Sequence, residues 1–149
     1  MPPIIDPTGN QGMPGFSTRV DSDSREFRQK LHHFTEKGIQ IHKDTQDTEN
    51  SVVTKLRPGL ALVRVEAGAN AGLYVHAEHS DAPAAADVVD AVLLTVFLNM
   101  LGRDGAVENK SANGMDHGFV TEDQVLFGTD DASYIDAIKA ALPLVKFES

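Results

Sequence analysis

The segment Leu56 to Val75, LRPGLALVRVEAGANAGLYV, constrains this chain more than any other part of it. Pro58-Gly59 fits the two central positions of a tight turn, because proline presets φ at the first and glycine tolerates positive φ at the second. Leu60 and Leu62, then Val63 and Val65, predict a buried strand that changes face through a bulge. Gly68 to Gly72 turns the chain back into Leu73-Tyr74-Val75. A distant echo lies at the C-terminus, where Ala141 to Phe147, ALPLVKF, passes from a helix end through Pro143 into a strand. Both segments read as β framework, and neither carries a reactive constellation.

The rest of the C-terminal two thirds fits the same plan. Ser80 to Asp90 is Ala-, Asp- and Pro-rich, a surface connection or weak helical turn. Val92 to Leu101, VLLTVFLNML, is a short apolar run that periodicity alone leaves open between a central strand and a short buried helix; its β-branched and aromatic content and the hairpin signal at Asp104-Gly105 favour strand. Phe119-Val120 and Gln124 to Phe127 predict further short strands around a polar Asn/Gly/Asp loop. Ser133 with Asp136 predicts a helix cap, and Ile135, Ile138 and Leu142 form one apolar stripe. With 149 residues and 41% hydrophobic content the chain can bury one core, hiding roughly 70% of its unfolded surface. It has no cysteine, so disulfides and thiolate-ligated metals are ruled out.

The N-terminal third differs in character. Pro2, Pro3, Pro7 and Pro14 alternate with Gly9, Gly12 and Gly15 without apolar periodicity, the pattern of an extended tail. Asp23-Ser24-Arg25-Glu26 then offers a cap, Phe27, Leu31 and Phe34 share one helical face, and Gly38 supplies a stop. A helix this short is marginal alone, so its stripe is expected to dock on the body or on another chain. Ile39 and Ile41 predict a single strand, and Lys43 to Ser51 a linker. The division falls near Asn50: an arm over residues 1–50 and a folded domain over 51–149.

Charge follows the same division. Residues 1–55 carry seven Lys and Arg against eight Asp and Glu; residues 56–149 carry six against fourteen. The acidic body repels phosphate backbones, which argues against nucleic acid as a direct partner. The most apolar window, Ala91 to Leu101, is about half the roughly 20 residues that a membrane-spanning helix needs, and no signal-peptide pattern opens the chain.

Reactive groups are sparse. His76, Glu78 and His79 form the densest set of metal-ligand types, with His76 and Glu78 expected on one face of a strand, but the helical HExxH spacing is missing. His32 and His33 lie at different azimuths of the expected helix and do not chelate together. No GxSxG, GxGxxG or GxxxxGK[ST] pattern occurs. Asp130-Asp131 precede the C-terminal helix, where a carboxylate stabilises the helix dipole by about 0.3–1 kcal/mol. Asn109-Lys110-Ser111 matches a glycosylation sequon in a chain without a secretory signature. The expectation is a non-enzymatic protein without metal or cofactor; a small metal-dependent enzyme around His76 and His79 is the remote alternative.

The order LRPGLALVRV, a Gly/Asn turn, GLYV, an Ala/Asp-rich connection, an apolar strand, a hairpin, then DAIKAALPLVKF resembles the head decoration proteins of tailed bacteriophages, the lambda D type, from about Val52 to Phe147. The resemblance implies an α+β, strand-rich, β-tulip-like fold with a short C-terminal helix and an extended N-terminal arm. It implies a homotrimer on the outer capsid surface of the virion at three-fold and quasi-three-fold positions, made in the host cytoplasm. The implied partners are the major capsid protein and the chain itself, with no membrane and no direct nucleic acid. Capsid contact is expected from the arm, through Ile4, Ile5, Phe16, Phe27, Leu31, Phe34, Ile39 and Ile41, with strand addition at Pro3 to Asp6 or at Ile39 to Ile41. A neck or tail adaptor of the virion is the nearest alternative.

Overall fold

A computed structural model describes Phe27 and residues 34–149. Among the described residues there are eight strands, one α-helix and two 3-10 turns. Five strands close into a barrel: β1 (Thr35–Ile41), β4 (Tyr74–Val75), β3 (Ala61–Arg64), β5 (Ala91–Leu94) and β7 (Lys110–Thr121), in that order, with β7 returning to β1. Every neighbouring pair is antiparallel except β1 and β4, where Ile41 lies opposite Tyr74. Beyond the barrel wall β7 continues and pairs in parallel with β8 (Val145–Glu148). The two-residue strands β2 (Lys55–Leu56) and β6 (Leu98–Asn99) form a small ladder of their own.

The barrel is filled by alternation. On β1, Ile39 and Ile41 are buried while Glu36, Gly38 and Gln40 are exposed; on β7, Ser111 and Asn113 are exposed while Ala112 packs on the core. Each of the five strands therefore sends one set of side chains inward. Ile39, Ile41, Leu62, Tyr74, Val92 and Leu94 fill the interior, extended by Leu56, Leu60 and Met100. A second core covers the outside of the β3–β5–β7 wall. There Ala61, Val63, Val65, Val75, Leu93 and Met115 meet Ile138 and Leu142 of the helical segment, Val145 of β8, and Phe27. The helix α1 (Ala132–Ala140) is capped by Asp131, whose Oδ1 accepts the Ser133 N–H at 2.9 Å. It is also fixed to the Ala/Pro connection, since the Tyr134 hydroxyl donates to the Pro83 carbonyl at 2.6 Å.

Several expectations are corrected by this architecture. Leu60 to Val65 needs no bulge: Leu60 and Leu62 face the interior, Ala61, Val63 and Val65 face the outer core, and alternation is unbroken because both faces are covered. The expected helix does not reach Gly38. Phe27 and Phe34 lie in irregular backbone, Thr35 onward is strand, and Gly38 sits mid-strand opposite Asn113. Leu31 lies outside the described residues. The strand at Ile39 and Ile41 exists, but as a wall of the barrel rather than a separate arm, so the folded unit starts well before Asn50. The expected linker is docked, with Thr45 and Asp47 buried. The expected Asn/Gly/Asp loop is instead most of β7, and the Val92 to Leu101 run is broken between Leu94 and Leu98. The helix cap is Asp131 rather than Ser133.

The Pro58-Gly59 turn is as expected: Gly59 has φ 95°, and the Leu60 N–H donates to the Arg57 carbonyl at 3.3 Å. Gly114 is required for a different reason. A Cβ there would stand 2.6 Å from Cβ and Cγ2 of Val92, inside the barrel, whereas a Cβ on Gly38 would enter open space. Gly114→Ala is expected to cost roughly 1–3 kcal/mol by overpacking and Gly38→Ala almost nothing, a contrast that thermal melts of the two variants would read directly.

Candidate functional site

Two polar clusters occupy the barrel, and they differ in what they can do. The first surrounds Asp90. Lys37 shares the inward face of Ile39 and Ile41, Arg64 that of Leu62, and Asp90 that of Val92, so alternation brings three charged side chains and Tyr74 together at one barrel mouth. The Asp90 carboxylate accepts from the Tyr74 hydroxyl at 2.6 Å, from Lys37 Nζ at 2.9 and 3.1 Å, and from Arg64 at 3.2 Å. Arg64 also reaches Glu66 at 2.9 Å. Burial pushes the Asp90 carboxyl up, but the Tyr74 hydroxyl and the Lys37 and Arg64 cations outweigh it and hold it below its ordinary value. Burial and Asp90 together raise the Tyr74 phenol. For Lys37, burial lowers the ammonium, and the bonds to Asp90 and Tyr74 more than restore it. A carboxylate saturated by three donors and held ionised is a poor general base, so this cluster acts as a structural plug.

The second cluster is histidine-rich and was only half visible in the sequence. His76 and His79 follow β4, and the parallel pairing of β1 with β4 carries His42 to the same barrel end. The His42 and His79 rings meet edge-on at 5.1 Å, and His76 meets His79 at 5.4 Å. Glu78, expected to share a face with His76, is exposed instead, because the strand ends at Val75 and the chain then turns. Asp44 takes the place expected of Glu78: donor atoms of His42, Asp44 and His79 lie within 4.8 Å of one another.

Hydrogen bonding decides whether this set suits a metal. His42 Nδ1 accepts the Asp44 N–H at 3.1 Å, His76 Nδ1 accepts the Gln46 N–H at 3.1 Å, and His79 Nδ1 accepts the Asp81 N–H at 2.9 Å. A ring nitrogen that accepts carries no proton, so each neutral imidazole bears its proton on Nε2 and has no lone pair left for a cation. Metal-binding histidines show the reverse arrangement, donating from the nitrogen that does not bind. The donor set therefore does not fit a bound metal.

The residues expected to touch a capsid are dispersed. Ile4, Ile5, Phe16 and Leu31 lie outside the described residues, as do His32 and His33. Phe27 is wholly buried, and its carbonyl accepts the Thr121 N–H at 3.0 Å. Ile39 and Ile41 fill the barrel, and Phe34 packs against the outer core. Phe27, Ile39 and Ile41 thus have no apolar surface to offer a partner, because their own domain covers it.

An open groove of about 700 Å³ runs along β1 and β7, lined by Gly38, Gln40, Tyr74, Val96, Ser111 and Asn113, and no ionised side chain borders it. None of the helices among the described residues is long and apolar enough to cross a membrane. Comparison with protein families, curated proteins and solved structures finds no match.

Proposed function

We propose that this chain is a structural protein of a phage virion: a trimeric capsid-decoration protein that binds the outer surface of the expanded head and stabilises it against the pressure of packaged DNA. One observation carries this reading. The two segments on which the resemblance rests, LRPGLALVRV…GLYV and DAIKAALPLVKF, are separated by more than half the folded chain, yet they pack as one core, with Ala61, Val63, Val65 and Val75 against Ile138, Leu142 and Val145. A strand-rich domain closed by a short helix running into a strand is the architecture that the resemblance implies. The acidic body, with its polar clusters used for structure, faces solvent in this reading.

The capsid contact is proposed to lie in residues 1–26, with Ile4, Ile5 and Phe16 as its apolar anchors, since Ile39 and Ile41 are needed inside the barrel. Strand addition from such a segment draws its affinity from backbone hydrogen bonds, and three arms per trimer convert weak contacts into a strong set. Full-length protein is expected to co-sediment with expanded heads that lack decoration. A variant lacking residues 1–22 should bind at least about a hundredfold more weakly, the scale that multivalency supplies. Undiminished binding of the truncated variant would refute the arm assignment. Ring-shaped assemblies in place of trimers, by light scattering and electron microscopy, would point to a neck or tail adaptor instead.

A further inference from the structure

The three imidazoles have a chemistry that neither the barrel nor capsid binding requires. Their Nδ1 atoms are all acceptors of backbone N–H groups, so a second proton on any ring sets N–H against N–H and places a cation against a neighbouring ring. The Gln46 bond matters most, because it crosses between segments. His76 follows β4, while Gln46 belongs to the segment that leaves β1, and His76 is 6% exposed. That segment, Lys43 to Ser51, contains no apolar side chain. Its ties are polar: His42 N–H and Thr45 Oγ1 to the Tyr74 carbonyl, Lys43 N–H to Asn109 Oδ1, and Asp47 to Arg57. The strand before it is held differently, by its ladder to β7 and by buried Ile39 and Ile41. Opening the segment therefore breaks hydrogen bonds and the Asp47–Arg57 ion pair but exposes no apolar side chain of its own, the profile of a local rather than global transition.

We propose that His76 is an acid-operated latch that holds residues 43–51 on the barrel end at neutral pH and loosens them on protonation, with the barrel intact. The charged groups around the latch are few. Asp44 Oδ2 is 4.0 Å from His42 Nδ1, the Asp81 carboxylate is engaged by the Asn70 amide at 2.8 Å, Glu78 is exposed, and Asp47 is committed to Arg57. Burial, and then the neighbouring His79, lower the His76 pKa to about 4, and the attraction of Glu78 does not offset them. With the closed-state value depressed below the ordinary 6.5, the tie is fully present above pH 6.5 and weakens as pH falls toward 4. Opening is then favoured about tenfold per pH unit across that window, or roughly thirtyfold at pH 5.

Amide hydrogen exchange on the full chain tests this, after correction for intrinsic exchange rates. The Thr45 and Gln46 amides should lose protection roughly fifteenfold between pH 6.5 and pH 5 while the Ile39, Ile41 and Val92 amides keep theirs. In His76→Asn, whose side-chain oxygen takes the Nδ1 position without titrating, protection at Gln46 should persist into acid. Equal loss at segment and barrel amides, no pH dependence at Gln46, or the same acid loss in His76→Asn would each overturn the latch. Ring nitrogen shifts of the unaltered protein give a check that does not depend on the variant. His76 should remain the neutral Nε2–H form at pH 5.5, and titration near 6.5 would overturn the proposal. Zinc ions that protect the Gln46 amide at pH 7 would overturn it as well, by showing a cation-ligand set.

Discussion

Removing residues 1–50 is expected to abolish cooperative folding, whereas removing residues 1–22 should leave the thermal transition of the domain in place. The shorter deletion takes away a Pro- and Gly-rich stretch without apolar periodicity and spares Phe27. The longer one removes β1, and with it the strand that closes the barrel between β4 and β7. Ile39 and Ile41 alone account for roughly 1.5–3 kcal/mol each of apolar burial. Their loss also leaves Tyr74, Val92 and Leu94 facing an unfilled interior, and it strips the β7 register from Lys110 to His117 of its partner. A domain of ordinary stability, about 5–15 kcal/mol, does not survive both losses. Circular dichroism melts of the two truncations separate the outcomes, and a cooperative melt of the longer one would show that β1 is dispensable.

Asp47→Ala is expected to destabilise the domain by about 3–5 kcal/mol, the scale of breaking a buried ion pair. Its side chain is 3% exposed and accepts Arg57 Nε at 2.7 Å, a second guanidinium nitrogen at 3.0 Å and the Arg57 N–H at 3.2 Å. Arg57 opens the Pro58-Gly59 turn, so the pair ties the segment after β1 to the turn that starts β3. Alanine leaves a partly buried guanidinium and a backbone donor without their acceptor. The double variant Asp47→Ala/Arg57→Ala should recover part of the loss, because no uncompensated charge then remains. Chemical denaturation of the single and double variants measures both terms. A single-variant loss below about 1 kcal/mol would place the pair among ordinary surface ion pairs.

Legibility in the sequence tracked the distance over which each feature is determined. The Pro58-Gly59 turn, the Gly68 to Gly72 reversal, the C-terminal helix and the VKF strand were all readable, since their signals lie within a few residues of the structure they specify. The long strand β7 was not. Its composition, KSANGMDHGFVT, is that of a loop, and it is extended because β1, β5 and β8 each supply backbone partners along it. Gly114, which looks like a turn residue, is there because Val92 fills the space a side chain would need. Phe27, Leu31 and Phe34 have helical spacing, but burial of Phe27 in the outer core and strand pairing from Thr35 onward override it at the described positions.

The candidate sites divide in the same way. His76 and His79 are neighbours in sequence and were singled out; His42 and Asp44 were not, because they join only through the parallel pairing of β1 with β4. The orientation of each ring, which turns the cluster from a ligand set into a set of hydrogen-bond acceptors, depends on backbone N–H groups in neighbouring turns. Asp90 lay in what reads as a surface connection and became the centre of a half-buried network once alternation on four strands pointed Lys37, Arg64 and Tyr74 toward it.

By itself the sequence determined the class of the fold, the turns that punctuate it and the acidic character of the body, because turn chemistry, periodicity and charge are properties of short stretches. Only the tertiary structure decided where the domain begins, that both faces of Leu60 to Val65 are covered, and which histidines meet. Barrel closure is the reason: joining β1 to β7 links residues about seventy to eighty positions apart, and no local pattern encodes a partner at that distance.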